Sequence, residues 1–172
     1  AVLKNTAQRW KQITQTNITQ GYGLTETSPV IAVNIISDEY NGTIGLPLPS
    51  TDISLRNDNG DEIGIDEVGE LCVKGPQVMK GDWNKPEETA KCMHGEYFLT
   101  GDVGTMNEEG FFKIVDRKKE MILISGFNVY PNDVEKAISE NPKVLEVGVR
   151  GEKNEDGTEF VRAFVVKKDT SL

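Results

Sequence analysis

Asp102 stands alone after Thr100 and Gly101, and a run of charge, Asp116, Arg117, Lys118, Lys119 and Glu120, follows between two apolar segments. A carboxylate accepts bonds from paired hydroxyls such as those of a ribose, and a guanidinium binds oxygens. Charged groups are costly to desolvate unless paired. These five adjacent charges cannot all be buried, so the run is expected in an exposed joint between two packed units. An acid and an arginine flanking such a joint suggest a ligand held at a domain interface.

A second group lies near the start of the chain. In Gly21-Tyr22-Gly23-Leu24-Thr25-Glu26-Thr27 the glycines let backbone approach a ligand closely. Tyr22 offers a flat face to a base, Thr25 a hydroxyl to a phosphate oxygen, and Glu26 a hard oxygen to a magnesium ion. Each feature also has a plainer reading. Alone, the glycine stretch is a turn with a helix-capping threonine, most Thr-Gly-Asp triplets are turns, and Arg117 is one member of a solvated charge run. As an exposed carboxylate, Asp102 would still be able to take both ribose hydroxyls. His94 lies among loop residues with no acid-base or metal partner beside it and is given no role.

The elements that must position these groups follow from periodicity. Leu3, Ala7, Trp10 and Ile13 recur at the spacing of one helical face, ending near Thr14 to Asn17. A short strand over 17–20 leads into the glycine loop, and Val30 to Ile36 reads as a buried strand. Helix, strand and glycine loop in that order look like a slice of an α/β layer. Ile53 and Leu55 alternate with polar residues, Asp58 to Asp61 supplies a hairpin turn, and Val68 to Lys74 alternates again. Further strands are expected at Tyr97 to Leu99 and Phe111 to Val115, joined by Asn107 to Gly110. Short strands with little helix predict a small antiparallel barrel or sandwich from about Thr43 to Val115. Beyond the charges, Met121 to Ile124 reads as a strand broken by Gly126. Asn132 and Glu135 fit a capping box opening a helix that stops at Asn141-Pro142. Val144 to Val149 and Phe160 to Val166 read as strands separated by a loop over 151–158, completing a β-α-β-β unit.

Composition limits the partners. The 172 residues are 37% hydrophobic and 27% charged, the range of soluble globular proteins. A net charge of -9 argues against a nucleic-acid partner. Cys72 and Cys92 are the only cysteines, which favours reduced thiols in the cytosol over a disulfide. No apolar run approaches the ~20 residues that span a bilayer. The absence of an initiator Met and the thin final β-α-β-β unit lead to the expectation of a piece excised from a longer protein.

Order and spacing bring the pieces together. Tyr22-Gly23-Leu24-Thr25-Glu26, then Thr100-Gly101-Asp102, then Asp116-Arg117-Lys118-Lys119, then Ser125-Gly126-Phe127-Asn128-Val129-Tyr130-Pro131 jointly resemble the adenylate-forming superfamily of acyl-CoA synthetases, luciferases and peptide-synthetase adenylation domains. Within it, IGLPLPSTD, GELCVKGPQVMKG, IVDRKKEMILISGFNVYPNDVE and FVVKKDTSL look like the bacterial long-chain fatty-acid CoA ligases. The resemblance runs along essentially the whole chain.

It implies an α+β fold, the C-terminal part of such an enzyme: residues 1–42 end a large α/β domain, 43–116 form an antiparallel β-barrel, 117–119 are a hinge, and 120–172 are a truncated lid domain. It implies ATP-dependent conversion of a fatty acid to acyl-AMP and pyrophosphate, then transfer to coenzyme A with release of AMP. By the same resemblance Gly21, Tyr22 and Gly23 form the nucleotide loop, with Tyr22 stacked on adenine. Thr25 contacts the phosphate, Glu26 helps hold Mg2+, Asp102 and Arg117 bind the ribose hydroxyls, and Ile114 packs near the base. Lys119 falls at the hinge and Gly126 on the loop lining the coenzyme A channel.

The superfamily's phosphate loop is expected upstream of Ala1 and its terminal lysine beyond Leu172, so the isolated piece is expected to be catalytically silent. Tyr97 and Leu99 stand where long-chain ligases commonly carry tryptophan and histidine. A shorter or aromatic acid, a carrier-protein acceptor, and a non-catalytic adenylate-binding relative remain alternatives. A homodimer of the full-length enzyme and peripheral contact of a cytoplasmic enzyme with the inner membrane face are left open; no basic amphipathic helix is visible to carry that contact.

Overall fold

The computed structural model describes residues 2–34 and 39–168. The chain divides into two compact units between Ile114 and Val115.

The first unit opens with helix α1 (Lys4–Thr14), which buries Ala7 and ends at Gln15 in the left-handed conformation, its N–H returning to the Lys11 carbonyl. Strands β1 (Gly21–Gly23), β2 (Val30–Val33) and β3 (Leu46–Pro47) form an antiparallel sheet in that order. The strand expected over 17–20 begins instead at Gly21, just after Gln20, whose carbonyl accepts the Asn34 N–H at 2.9 Å and whose side chain is occupied as well. It is buried, accepts from the Val2 N–H at 2.8 Å and donates to the Thr43 carbonyl at 3.0 Å. The strand expected over 30–36 is described as far as Val33, and residues 35–36 lie outside the described residues.

Strands β4 (Asp52–Arg56) and β5 (Gly69–Lys74) pair antiparallel after a turn in which the Asn57 side chain accepts the N–H groups of Asn59 and Asp61. A short helix α2 (Pro86–Lys91) that periodicity missed follows. Its apolar signal is absent because none of its residues is buried, and proline at the first helical turn is what starts it. Strands β6 (Met93–His94), β7 (Tyr97–Met106) and β8 (Phe112–Arg117) complete a five-stranded sheet, ordered β4-β5-β7-β6 with β8 on β7. The two sheets are joined where Gly45 bridges Phe112: the Ile44 N–H donates to the Phe112 carbonyl at 2.8 Å and the Phe112 N–H to the Gly45 carbonyl at 3.1 Å. A Cβ on Gly45 would lie 2.0 Å from the Val33 carbonyl, so only glycine allows this approach. Ile31, Ala32, Ile44, Ile53, Leu55, Leu71, Val73, Phe98 and Phe112 make one buried cluster.

The second unit contains β9 (Ile122–Ile124), β10 (Phe127–Val129), α3 (Pro131–Ser139), β11 (Val144–Lys153) and β12 (Glu159–Lys167). Strand β10 was not expected. Ser125 and Gly126 both have positive φ, 50° and 85°, so the glycine is the corner of a two-residue hairpin rather than the end of the sheet. The expected capping box of Asn132 and Glu135 does not form. The Asn132 N–H donates to the carboxylate of Asp116 at 3.0 Å, and Glu135 is drawn off to accept the Val149 N–H at 2.7 Å. An acid distant in sequence thus takes over the cap. The β11–β12 ladder runs from Val144↔Lys167 to Lys153↔Glu159, extending both strands past their expected ends.

Candidate functional site

Asp102 owes its position to an irregularity in β7. Glu70 faces Val103 and Cys72 faces Leu99, with the register shifting between these pairs. Thr100, Gly101 and Asp102 therefore lie opposite Leu71 alone, a bulge with extra residues on one strand. Thr100 and Gly101 are not the turn that their types suggested; they belong to a continuous strand. Gly101 has φ +73°, and a Cβ there would meet nothing within 4 Å, so the position asks for glycine's conformation and not its size.

The bulge breaks the ladder, and side chains complete its bonding. Thr100 Oγ1 donates to the Leu71 carbonyl at 2.8 Å and accepts the Asp102 N–H at 3.1 Å, while Glu70 Oε1 accepts the Gly101 N–H at 3.1 Å. Asp102 is 6% exposed, which corrects the expectation of an exposed carboxylate. Its burial is tolerable because its Oδ2 receives the Tyr22 hydroxyl at 2.5 Å. The sequence brought these two residues forward separately, and the fold joins them.

Tyr22 is half-buried at the centre of β1, facing Ala32, and its ring packs against the core cluster. Ile114 packs against the same cluster. Tyr22, Asp102 and Ile114 thus belong to one rigidly backed unit. Gly21 would accept a Cβ at ordinary contact distance, 3.6 Å from the Ala32 carbonyl, whereas at Gly23 it would fall 1.7 Å from the Pro29 carbonyl. Gly23 is thereby required by packing within the chain, a reason independent of any ligand.

Thr25 starts a 3-10 turn over Thr25–Thr27 and is exposed. The buried hydroxyl of the turn is that of Thr27, which donates to the Leu24 and Pro29 carbonyls and accepts the Leu24 N–H. Thr25 is left to face outward. The Glu26 carbonyl is held by the Met79 N–H at 2.7 Å, and its side chain is half-buried. Burial pushes the Cys92 thiol pKa up, with the charges of Asp82, Glu26 and Glu88 adding to the effect. Among the described residues no group of three or more His, Cys, Asp or Glu could hold a metal by itself. Glu26 fits a magnesium ion only as a single carboxylate ligand, the arrangement in which phosphate and water oxygens complete the shell.

In the second unit Arg117, Lys118, Lys119 and Glu120 are exposed, as the charge run predicted, but Asp116 is 2% exposed. Its two oxygens accept the N–H groups of Arg117 and Asn132 at 2.7 and 3.0 Å, which offsets its desolvation. Lys119 lies within a 3-10 turn over Lys118–Glu120. Gly126 lies at the exposed corner between β9 and β10.

Sequence reasoning missed Glu70, Thr100 and Asp116 as supports. Glu70 carried no readable signal: it is half-buried on β5, and its partner Gly101 lies on β7, a neighbour that the sequence does not reveal.

The family model of AMP-binding enzymes matches residues 1–83. A long-chain-fatty-acid–CoA ligase of Yersinia pestis is 49% identical over 99% of this chain and 31% of its own length. One from an Escherichia coli O6:H1 strain is 48% identical over 96% of this chain and 30% of its own. The crystal structure of ATP-bound MatB from Rhodopseudomonas palustris superposes with a TM-score of 0.92 at 34% identity, over 99% of this chain and 34% of that one. The chain belongs to the adenylate-forming, AMP-binding enzymes. It spans about 31% of the length of the first of these relatives. In this adenylate-forming fold the mixed architecture, few helices and mainly antiparallel sheets, agrees with the expected class.

Proposed function

We propose that this chain supplies the base- and ribose-binding wall, the hinge and part of the lid of an AMP-forming long-chain fatty-acid CoA ligase. The observation that carries the reading is the 2.5 Å bond between the Tyr22 hydroxyl and Asp102 Oδ2, joining two motif residues far apart in sequence. The names of the 48–49% identical relatives support the substrate class.

A carboxylate has no good leaving group. In the first half-reaction its oxygen attacks the α-phosphorus of ATP, a P–O bond forms, and the bond to the bridging oxygen breaks to release pyrophosphate. In the second, the coenzyme A sulfur attacks the acyl carbonyl, the thiol proton is lost, and AMP leaves with the electron pair of the C–O bond. Magnesium, when bound, offsets phosphate charge during the first step. Tyr22 and Ile114 present apolar surface to the base. Asp102 and Arg117 accept from and donate to the ribose oxygens, Thr25 donates to the phosphate, and Glu26 supplies one oxygen to the metal.

Lys119 is the pivot that lets one site serve two nucleophiles in turn, with Gly126 on the loop that lines the pantetheine path. Cys72 and Cys92 are not joined in a disulfide, which suits a reducing cytoplasm.

The deciding assay is thioester formation by the full-length protein, with ATP, across fatty, aromatic and short acids and with coenzyme A or a carrier protein as acceptor. Preference for long-chain acids and coenzyme A is expected. Preference for another acid or acceptor, or no turnover, would replace the reading with one of its alternatives. Lys119→Pro fixes φ at the pivot and should slow one half-reaction more than the other. Equal rates for both, unchanged from wild type, would remove the hinge.

A further inference from the structure

We propose that Glu70 is a positioning residue for nucleotide binding, setting the bulge of β7 that presents Asp102 to the ribose. The inference rests on Asp102 being the ribose acid and adds a residue that does not itself touch the nucleotide.

The argument is geometric. Where the register of β5 and β7 slips between Glu70 and Cys72, backbone N–H groups of the bulge have no carbonyl opposite them. Asp102 itself is served by the neighbouring Thr100 hydroxyl. Gly101 is served by Glu70, a side chain from the adjacent strand. That bond spans the slip, tying the left-handed glycine to the strand whose register it departs from. A carboxylate accepting a backbone N–H is a charge-assisted bond, stronger than an amide or water would make there.

With Glu70 truncated, Gly101 would be free to leave φ +73°, a conformation with ample space around it. Asp102, the next residue, would rotate with it. The bond from the Tyr22 hydroxyl would shift with it, because its acceptor is that same carboxylate. One bond at Glu70 thus steadies both the acid and the aromatic residue of the site.

The test compares ATP with 3′-deoxy-ATP in the full-length enzyme, taking the ratio of their KM values. This ratio does not depend on how much of a preparation is folded. Wild type should disfavour the deoxy analogue by about ten-fold or more, the effect of losing a hydrogen bond to a charged group. Glu70→Ala should raise KM for ATP by about ten-fold with a smaller change in kcat, and bring the ratio close to one.

Glu70→Gln, whose amide oxygen still accepts from Gly101, should keep most of the discrimination. Glu70→Asp, one methylene short, should lose it and serves in place of the alanine variant if that fails to fold. A wild-type ratio in the alanine or aspartate variant would overturn the proposal and leave the ribose reading standing, as would a glutamine variant no better than alanine. A ratio near one in wild type would instead sink the ribose reading itself, and this inference with it.

Discussion

The two units are held together by different means. From Ile31 to Phe112 the first unit buries a continuous apolar cluster, with Ile31, Leu71 and Val73 wholly inaccessible. In the second, Ile122 and Pro131 are the buried apolar side chains among the described residues, while Phe127, Leu145 and Phe164 are exposed by 75, 57 and 49%. Its order is carried by side chains bonded to backbone. Asp116 holds Asn132, Glu135 holds Val149, and Glu159 holds Leu123 through 2.8 Å. Glu152 meets Arg150 and Arg162 at 2.6 and 2.9 Å. Burial of apolar area is non-directional and tolerates small shifts, whereas charge-assisted bonds are lost within an ångström. The wall combines the two, since the apolar cluster backs Tyr22 while directional bonds from Glu70 and Thr100 set the bulge at Asp102. A unit with a thin core opens locally at lower free energy.

The largest effect should come from a hole in the first core. Leu71→Ala removes a fully buried side chain of β5 directly opposite the bulge and should cost about 2–5 kcal/mol of unfolding free energy. Chemical denaturation of this chain measures it. Leu145→Ala, at an exposed position of β11, should cost well under 1 kcal/mol. Equal losses at the two sites would abolish the contrast.

Next in size is the site itself. Asp102→Ala in the full-length enzyme should weaken ATP binding by about 1.5–3 kcal/mol, the range for bonds to a charged group. Calorimetry decides, and an unchanged affinity would take Asp102 out of the site. Asp116→Ala tests the polar support of the second unit. It strips two N–H groups of their acceptor, one at the start of α3, and should cost about 1–2 kcal/mol. Hydrogen exchange should speed up at Asn132 and along α3 while β5 stays protected. Uniform acceleration in both units would mean that they unfold as one.

What could be read from the sequence follows the same division. Repeating signals located the elements: α1, β4 and β5 stand where their periodicity placed them, and the turn expected at Asp58 to Asp61 closes one residue earlier, with the Gly60 N–H on the Asn57 carbonyl. The faces differ, since α1 buries only Ala7 and the middles of β4 and β5 are buried on both sides. Single events did not survive. Thr100-Gly101 reads as a turn because the same residue types serve turns and bulges, and only the register against β5 distinguishes them. The cap on α3 was assigned to the nearby Glu135, since nothing local shows that Asp116 is buried or that Glu135 faces β11. The members of the site were legible as types in a particular order. Their supports, Glu70 and Thr100, were not, because a positioning bond depends on which strands are neighbours.

The smallest effect sharpens the contrast at the loop between β11 and β12. Asp156 Oδ1 accepts both the hydroxyl of Thr158 at 2.6 Å and its N–H at 2.9 Å. These bonds favour the charged form, the hydroxyl contributing most, and hold the carboxyl below its usual range. A folded-state pKa depressed in this way contributes stability above the unfolded value, and that contribution is lost as pH falls through the folded pKa. The loss therefore falls at acidic pH, below about 4. Thr158→Val removes the hydroxyl and keeps the N–H, so an NMR titration should show the Asp156 midpoint rising part of the way toward an ordinary aspartate while the core of the first unit is unaffected. An unshifted midpoint would assign the depression to the backbone bond alone and leave this hairpin held by its ladder.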